Sequence, residues 1–238
     1  MSTHTPADGF VEPTTHYWQR IETGPAAPPP YRYGYPARLP DGRILTLPIR
    51  RRSGDPSRAV ASFIPNQAAF EVIDVLVAAM AANAKPLDAE VVIALPTLGL
   101  ALAPGLARAL GHSAYAPLGT SRKFWYDADL SVPVRSITSP DDGKRLYMDP
   151  NLRPKVEGKR AILVDDTISS GTTILAAARL AEAAGATIVG LAFAMAQSTV
   201  WETALAAERP DLRDRVQFLF RSPLLQLTDA GWVEEPID

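Results

Sequence analysis

The 238-residue chain contains no cysteine. That excludes a disulfide framework, a thiolate zinc site and a cysteine nucleophile. Histidine is scarce: His4, His16 and His112 are the only three, and they stand far apart. A histidine-built metal cluster is therefore not expected. A Ser-His-Asp triad would have to rest on His112, with no nucleophile elbow beside it. Excess positive charge is also missing. The formal net charge is −2, so no global field draws the chain to nucleic acid. The one dense basic run, Arg50, Arg51 and Arg52 with Arg58, reads as solvated loop rather than as a polyanion site. Uninterrupted apolar length is lacking too. Residues 91–107 carry no charge, but Pro96, Gly99, Pro104 and Gly105 break them up. A buried strand, a loop and a helix start are read there, not a membrane span. The first thirty residues have no apolar signal core. A cytoplasmic protein without membrane contact is the expectation.

What is present suits a soluble α/β protein. Hydrophobic residues make up 47% of the chain, enough at this length for a sizeable core. Residues 1–30 read as a flexible, proline-rich tail. Residues 31–58 form a hairpin or hood segment, with Pro40-Asp41-Gly42 as its turn and a polar loop at 50–58. Apolar residues at Phe70, Ile73, Val77 and Met80 predict a helix over 66–82, with Asn66 as its cap. Buried strands are expected at 90–95, 113–118, 160–164, 187–195 and 216–220. Helices are expected at 97–110, starting late or kinking at Pro104, at 172–184 and at 201–207. A strand over 131–138 with a partner at 144–148 fills the polar middle. Strands alternating with helices predict a parallel sheet with helices on both faces. The core is placed at 59–221, and 222–238 is a C-terminal extension. Ligands on such sheets bind at the carboxyl ends of the strands.

The segment 161–173 carries the most chemistry. An apolar strand delivers Asp165 and Asp166 to the sheet edge. The small residues Ser169, Ser170, Gly171, Thr172 and Thr173 then open a helix. A helix start offers unpaired N–H groups and a positive dipole end, which suit a phosphate. There is no Gly-Lys-Ser/Thr, so this is not a Walker loop. Carboxylates touching the phosphate would repel it, so they suit the vicinal hydroxyls of an attached sugar better. The same residues also suit a plain strand-turn-helix connection with an Asp-rich cap, and composition leaves the two open.

The stretch Val164-Asp-Asp-Thr-Ile-Ser-Ser-Gly-Thr-Thr173 resembles the signature of the type I phosphoribosyltransferases, which binds phosphoribosyl pyrophosphate (PRPP). Thr167 departs from it, since the family usually has an apolar residue there. The resemblance implies a Rossmann-like phosphoribosyltransferase core. It implies transfer of the phosphoribosyl group from PRPP to a nucleobase, a purine by the adenine- and xanthine-type pattern, with release of pyrophosphate. Asp165 and Asp166 would orient the ribose. Thr167, Ile168, Ser169, Ser170, Gly171, Thr172 and Thr173 would bind PRPP. Thr97, Leu98 and Gly99 match the pyrophosphate loop, loosely, because the doubled glycine or arginine common there is absent. Arg122 and Lys123 fit the loop that faces the leaving group, or are plain surface charges. Residues 124–150 fit a mobile flap. The base would stack near Ile168, with Phe124, Trp125 or Tyr126 as an aromatic wall unless these pack in the core. Gln197 would read a base edge, or merely end a strand. Mg2+ would arrive through PRPP near Asp165 and Asp166, with no direct protein cage. A homodimer is implied. The alternative on the same fold is a regulatory protein that binds PRPP without turnover.

Overall fold

The computed structural model of the chain describes residues 16–134 and 143–235. Parts of three expected features lie outside these residues: the tail at 1–15, the flap at 135–142 and the last three positions of the extension.

The turn signal at Pro40-Asp41-Gly42 folds as its composition requires. Gly42 takes a φ of +85°, a conformation open to glycine at little cost, and its N–H bonds Leu39 O at 2.9 Å. This turn joins β1 (Gly34–Arg38) to β2 (Ile44–Arg52), and β3 (Asp55–Ala61) pairs with β2 on the other side. The polar loop expected at 50–58 is therefore mostly strand. Arg51 and Arg52 lie on the solvated end of β2, where an antiparallel sheet tolerates charge.

After a short 3-10 turn at Pro65–Gln67 comes α1 (Phe70–Ala84). Asn66 sits inside that turn and does not cap the helix. Then follow β4 (Val91–Ala94), α2 (Gly99–Ala109) and β5 (Ala116–Gly119). Helix α2 starts at Gly99 and runs through Pro104, neither late nor broken. Next are β6 (Ser131–Pro133), β7 (Arg145–Met148), α3 (Arg153–Val156), β8 (Arg160–Ile168), α4 (Thr172–Ala183) and β9 (Thr187–Gln197). The chain closes with α5 (Val200–Glu208), α6 (Pro210–Arg213), β10 (Val216–Ser222), β11 (Leu224–Thr228) and β12 (Gly231–Glu234).

The central sheet has seven strands in the order β10-β9-β8-β4-β5-β7-β6. The first five are mutually parallel, and β7 and β6 close the edge antiparallel. Every residue of β4 is buried, because helices cover both faces. Successive residues of β8 supply opposite cores, as strand geometry demands. Leu163 packs in the layer that includes the α4 residues, and Ile162 and Val164 in the layer that includes those of α1 and α2.

The second sheet has five strands, β1-β2-β3-β11-β12. The C-terminal segment is thus part of the hood. Trp232 is fully buried there with Ile49, Ala59 and Leu225. Its backbone exchanges two bonds with Tyr31, at 2.7 and 2.6 Å. From residue 16 onward the expected tail is also tied down. Trp18 is buried, donates to Ser62 O at 3.1 Å, and lends its carbonyl to Ala69 N–H before α1.

Candidate active site

The carboxyl ends of the parallel strands meet under the hood. Strand β8 extends beyond its neighbour there. Pairing with β4 ends at Val164, whereas pairing with β9 continues through Ile168. The sequence places the end of the strand at Val164; the ladder to β9 carries it four residues further. Asp165–Ile168 therefore stand with one side free of strand.

The loop after β4 fills that side. The Pro96–Thr97 peptide is cis, Thr97 is exposed, and Gly99 is buried against β8. A Cβ on Gly99 would lie 2.7 Å from Val164 O and 2.9 Å from Asp165 Cα. Only glycine allows this approach, and it lets the Gly99 N–H donate toward the Asp165 carboxylate. Of the residues expected to form a pyrophosphate loop, Thr97, Leu98 and Gly99, the last is thus brought against Asp165.

Asp165 and Asp166 are partly buried. Asp165 Oδ1 accepts from Asp166 N–H at 2.9 Å, and Asp166 Oδ2 accepts from the Thr167 hydroxyl at 2.9 Å. Burial, then the neighbouring Asp166 charge, pushes Asp165 well above the ordinary aspartate range. Burial also raises Asp166, against the bonds it accepts from Asp165 and Thr167. Among the described residues no cationic side chain pairs with either acid.

One turn further on lies the segment expected to cradle a phosphate. Gly171 takes a φ of +81° as the cap of α4 and brings no side chain to it; Ser170 Oγ accepts from the Thr172 N–H at 3.4 Å. A Cβ there would meet Leu205 Cδ1 at 2.8 Å, so glycine serves both the turn and the contact with α5. Ser170 Oγ and Thr172 Oγ1 are 3.0 Å apart. Asp165, Thr167, Ser169, Ser170, Gly171 and Thr173 line a small cavity of about 50 Å³. A roomier concavity of about 580 Å³ lies at Tyr17, Trp18 and Thr46. It has neither an acid pair nor a helix start, so chemistry favours the small one.

Other expected residues are scattered more widely. Arg122 and Lys123 are exposed on the loop after β5. Phe124 is 98% exposed, which removes it from the core. Trp125 is turned to Asp149, with Nε1 donating to Oδ2 at 3.1 Å. Gln197 ends β9 beside the Ala196–Ile168 pair, and its Nε2 donates to Ala61 O of the hood at 3.4 Å. It therefore spans the seam between core and hood. Sequence reading missed the C-terminal hairpin that completes the hood, although Asp229-Ala230-Gly231 between short alternating runs is a hairpin signal. No helix among the described residues is long and apolar enough to cross a membrane.

Known proteins share this arrangement. The sequence profile of the phosphoribosyl transferase domain matches residues 64–208. A xanthine phosphoribosyltransferase of Chloroflexus aurantiacus is 35% identical over 116 residues, covering 48% of this chain and 52% of that protein. An adenine phosphoribosyltransferase of Chlorobium phaeobacteroides is 28% identical over 152 residues, 63% of this chain and 81% of that one. Amidophosphoribosyltransferase 2 of Arabidopsis thaliana is 36% identical over 105 residues, 44% of this chain but 18% of its own length. The alignment thus spans about half of the xanthine relative and a small part of the plant one. Among solved structures, adenine phosphoribosyltransferase from Thermoanaerobacter pseudethanolicus superposes with a TM-score of 0.57 at 16% identity, over 74% of this chain and 95% of that chain. The profile covers more than half of the sequence and contains the acid pair, the glycine turn and the α4 cradle; on that ground this chain belongs to the phosphoribosyl transferase domain family.

Proposed function

We propose that the chain transfers the 5-phosphoribosyl group of PRPP to a nucleobase, a purine in the first instance, and releases pyrophosphate. The observation that carries this is the extension of β8 past β4, which presents two acids one turn before a helix start capped by Gly171. The N–H groups of the first turn of α4 and the hydroxyls of Ser169, Ser170, Thr172 and Thr173 take the 5′-phosphate. Asp165 and Asp166 take the ribose hydroxyls. With the sugar held at both ends, the base nitrogen bonds C1′ as the bond from C1′ to the pyrophosphate oxygen breaks. Positive charge grows on the sugar and negative charge on the leaving group. Fixed charge near that leaving group is worth most once water is excluded. Arg122 and Lys123, exposed on the loop after β5, are the residues assigned to it. The names of the xanthine and adenine relatives support a purine acceptor.

Magnesium fits this site as a companion of the substrate. Among the described residues no group of three or more acidic or histidine side chains converges. Mg2+ readily binds through substrate phosphates while keeping several waters. Bound with PRPP, it supplies charge neutralisation at the pyrophosphate, and the buried acid pair lacks a counter-cation nearby. A cytoplasmic homodimer completes this reading.

A pyrophosphate-release assay with PRPP, Mg2+ and a panel of adenine, hypoxanthine, guanine, xanthine and orotate tests it. Release with a purine is expected, and loss of that release in the Asp165→Asn/Asp166→Asn variant. One observation favours a second reading, a regulatory protein that binds PRPP without turnover: Thr97, Leu98 and Gly99 bring no charged side chain to the leaving group. Tight PRPP binding with no release for any base would select that reading. Absence of binding would end both.

A further inference from the structure

Thr167 is the position at which this chain departs from the apolar residue usual in the family signature, and the structure gives the hydroxyl a task. It is partly buried within β8, its backbone paired with Met195 of β9. Its Oγ1 donates to Asp166 Oδ2 at 2.9 Å, and its side chain lines the small cavity with Asp165 and Ser169. The other carboxylate is held differently, by the N–H of Asp166 on Oδ1 and by the N–H of Gly99. Asp165 is thus oriented by backbone, which no substitution of a neighbouring side chain removes. Asp166 accepts from the Asp165 carboxyl and from backbone N–H groups as well, and the Thr167 hydroxyl fixes its Oδ2. A charge-assisted bond of normal length narrows the orientation of a carboxylate, because χ2 of a free aspartate is broad.

We propose that Thr167 is a positioning residue, whose hydroxyl fixes the Asp166 carboxylate in the orientation that receives a hydroxyl of the substrate's sugar. This rests on the phosphoribosyl-transfer reading for its kinetic consequence and on the geometry alone for its structural one. The α4 cradle does not depend on Thr167, so the 5′-phosphate is still bound when the hydroxyl is lost. The effect therefore falls on turnover more than on affinity.

Thr167→Val keeps the shape and the strand preference and removes only the hydroxyl. Thr167→Ser keeps the hydroxyl and removes the methyl. For Thr167→Val the expected result is a kcat lower by roughly 10- to 100-fold, with KM for PRPP within about threefold, since the helix-terminus phosphate site is untouched. Thr167→Ser is expected to restore kcat to near wild type. A valine variant with unchanged kcat, or a serine variant as slow as the valine one, overturns the proposal. A second measurement needs no turnover. The side-chain carboxyl 13C resonance of Asp166 in the ligand-free protein should move in Thr167→Val and return in Thr167→Ser. If it stays put in Thr167→Val, the positioning role is refuted whatever the assay gives. If it moves while the wild type neither binds nor turns over PRPP, the positioning role stands and the functional reading fails.

Discussion

Asp165 concentrates the tension between stability and chemistry in this fold. It is a carboxyl partly buried beside a second carboxyl, with two backbone N–H groups and no cation to favour its charge. Burial and the Asp166 charge raise it well above the ordinary value of 3.8. Between that value and the raised one, the folded chain holds a proton that the unfolded chain has lost. Its contribution to stability is complete below pH 3.8 and is lost as pH rises through the raised value. Asp165→Asn removes this dependence while leaving an oxygen to accept from Asp166 N–H. We expect its melting temperature to equal or exceed that of the wild type at about pH 8, and the advantage to shrink toward about pH 4. Activity should fall on the order of 100-fold or more. Thermal melts of the two proteins across that range decide the matter; a variant less stable than the wild type at the alkaline end would show that Asp165 is held as a satisfied anion. The junction that carries the two acids and Gly171 was legible from the sequence because an apolar run, two acids, small residues and an alanine-rich helix form one local pattern. The closeness of Gly99 to Asp165 was not, since an approach of one loop to a strand 66 positions away leaves no local pattern.

At the scale of elements, the hood shows what periodicity reads and what it misses. The β1–β2 hairpin was legible because its turn residues are specific. Strand β3 and the charged end of β2 were not, because a sheet with one solvated face allows Arg51 and Arg52 in a strand. The C-terminal hairpin was missed for a different reason: its partner β3 lies more than 160 residues earlier. Gly231 reveals the fit. It has a φ of +143°, and a Cβ there would meet Tyr31 O at 2.5 Å. Trp232 then fills the hood core. Trp232→Ala is expected to cost about 3–5 kcal/mol and to loosen the hood from Tyr31. Since Gln197 and Ser222 both donate to Ala61 O at the foot of β3, a loosened hood should raise KM for the base more than KM for PRPP. Urea unfolding with steady-state kinetics measures both. Equal effects on the two substrates would place the base away from the hood.

At the scale of the whole molecule, the exposed large hydrophobic side chains cluster by position. Phe70 begins α1, Phe124 and Trp125 lie on the loop after β5, and Val200 begins α5. In a parallel sheet with crossover helices, helix starts and strand ends share one edge, so these side chains surround the edge that holds the acids. Core packing alone would have buried them. The acid pair and the cradle are assembled from β8 and α4, at the centre of the sheet, whereas the covering parts hang on its rim. A ligand that bridges acids and cradle should therefore stabilise the molecule globally. At a PRPP concentration near 100 times its dissociation constant, with Mg2+, linkage gives about 2.7 kcal/mol. For a chain of this length that amounts to a rise in melting temperature of roughly 5–10 °C. Ribose 5-phosphate should give a smaller rise, because it fills the cradle and the acids but brings no pyrophosphate. Purine alone should give little, because the seam at Gln197 is a minor part of the site. The Asp165→Asn/Asp166→Asn variant should lose most of the PRPP effect and keep some response to phosphate at the α4 start. Differential scanning fluorimetry with these ligands ranks the contacts directly. A purine shift exceeding the PRPP shift would mean that the hood, not the β8 edge, is the principal binding element.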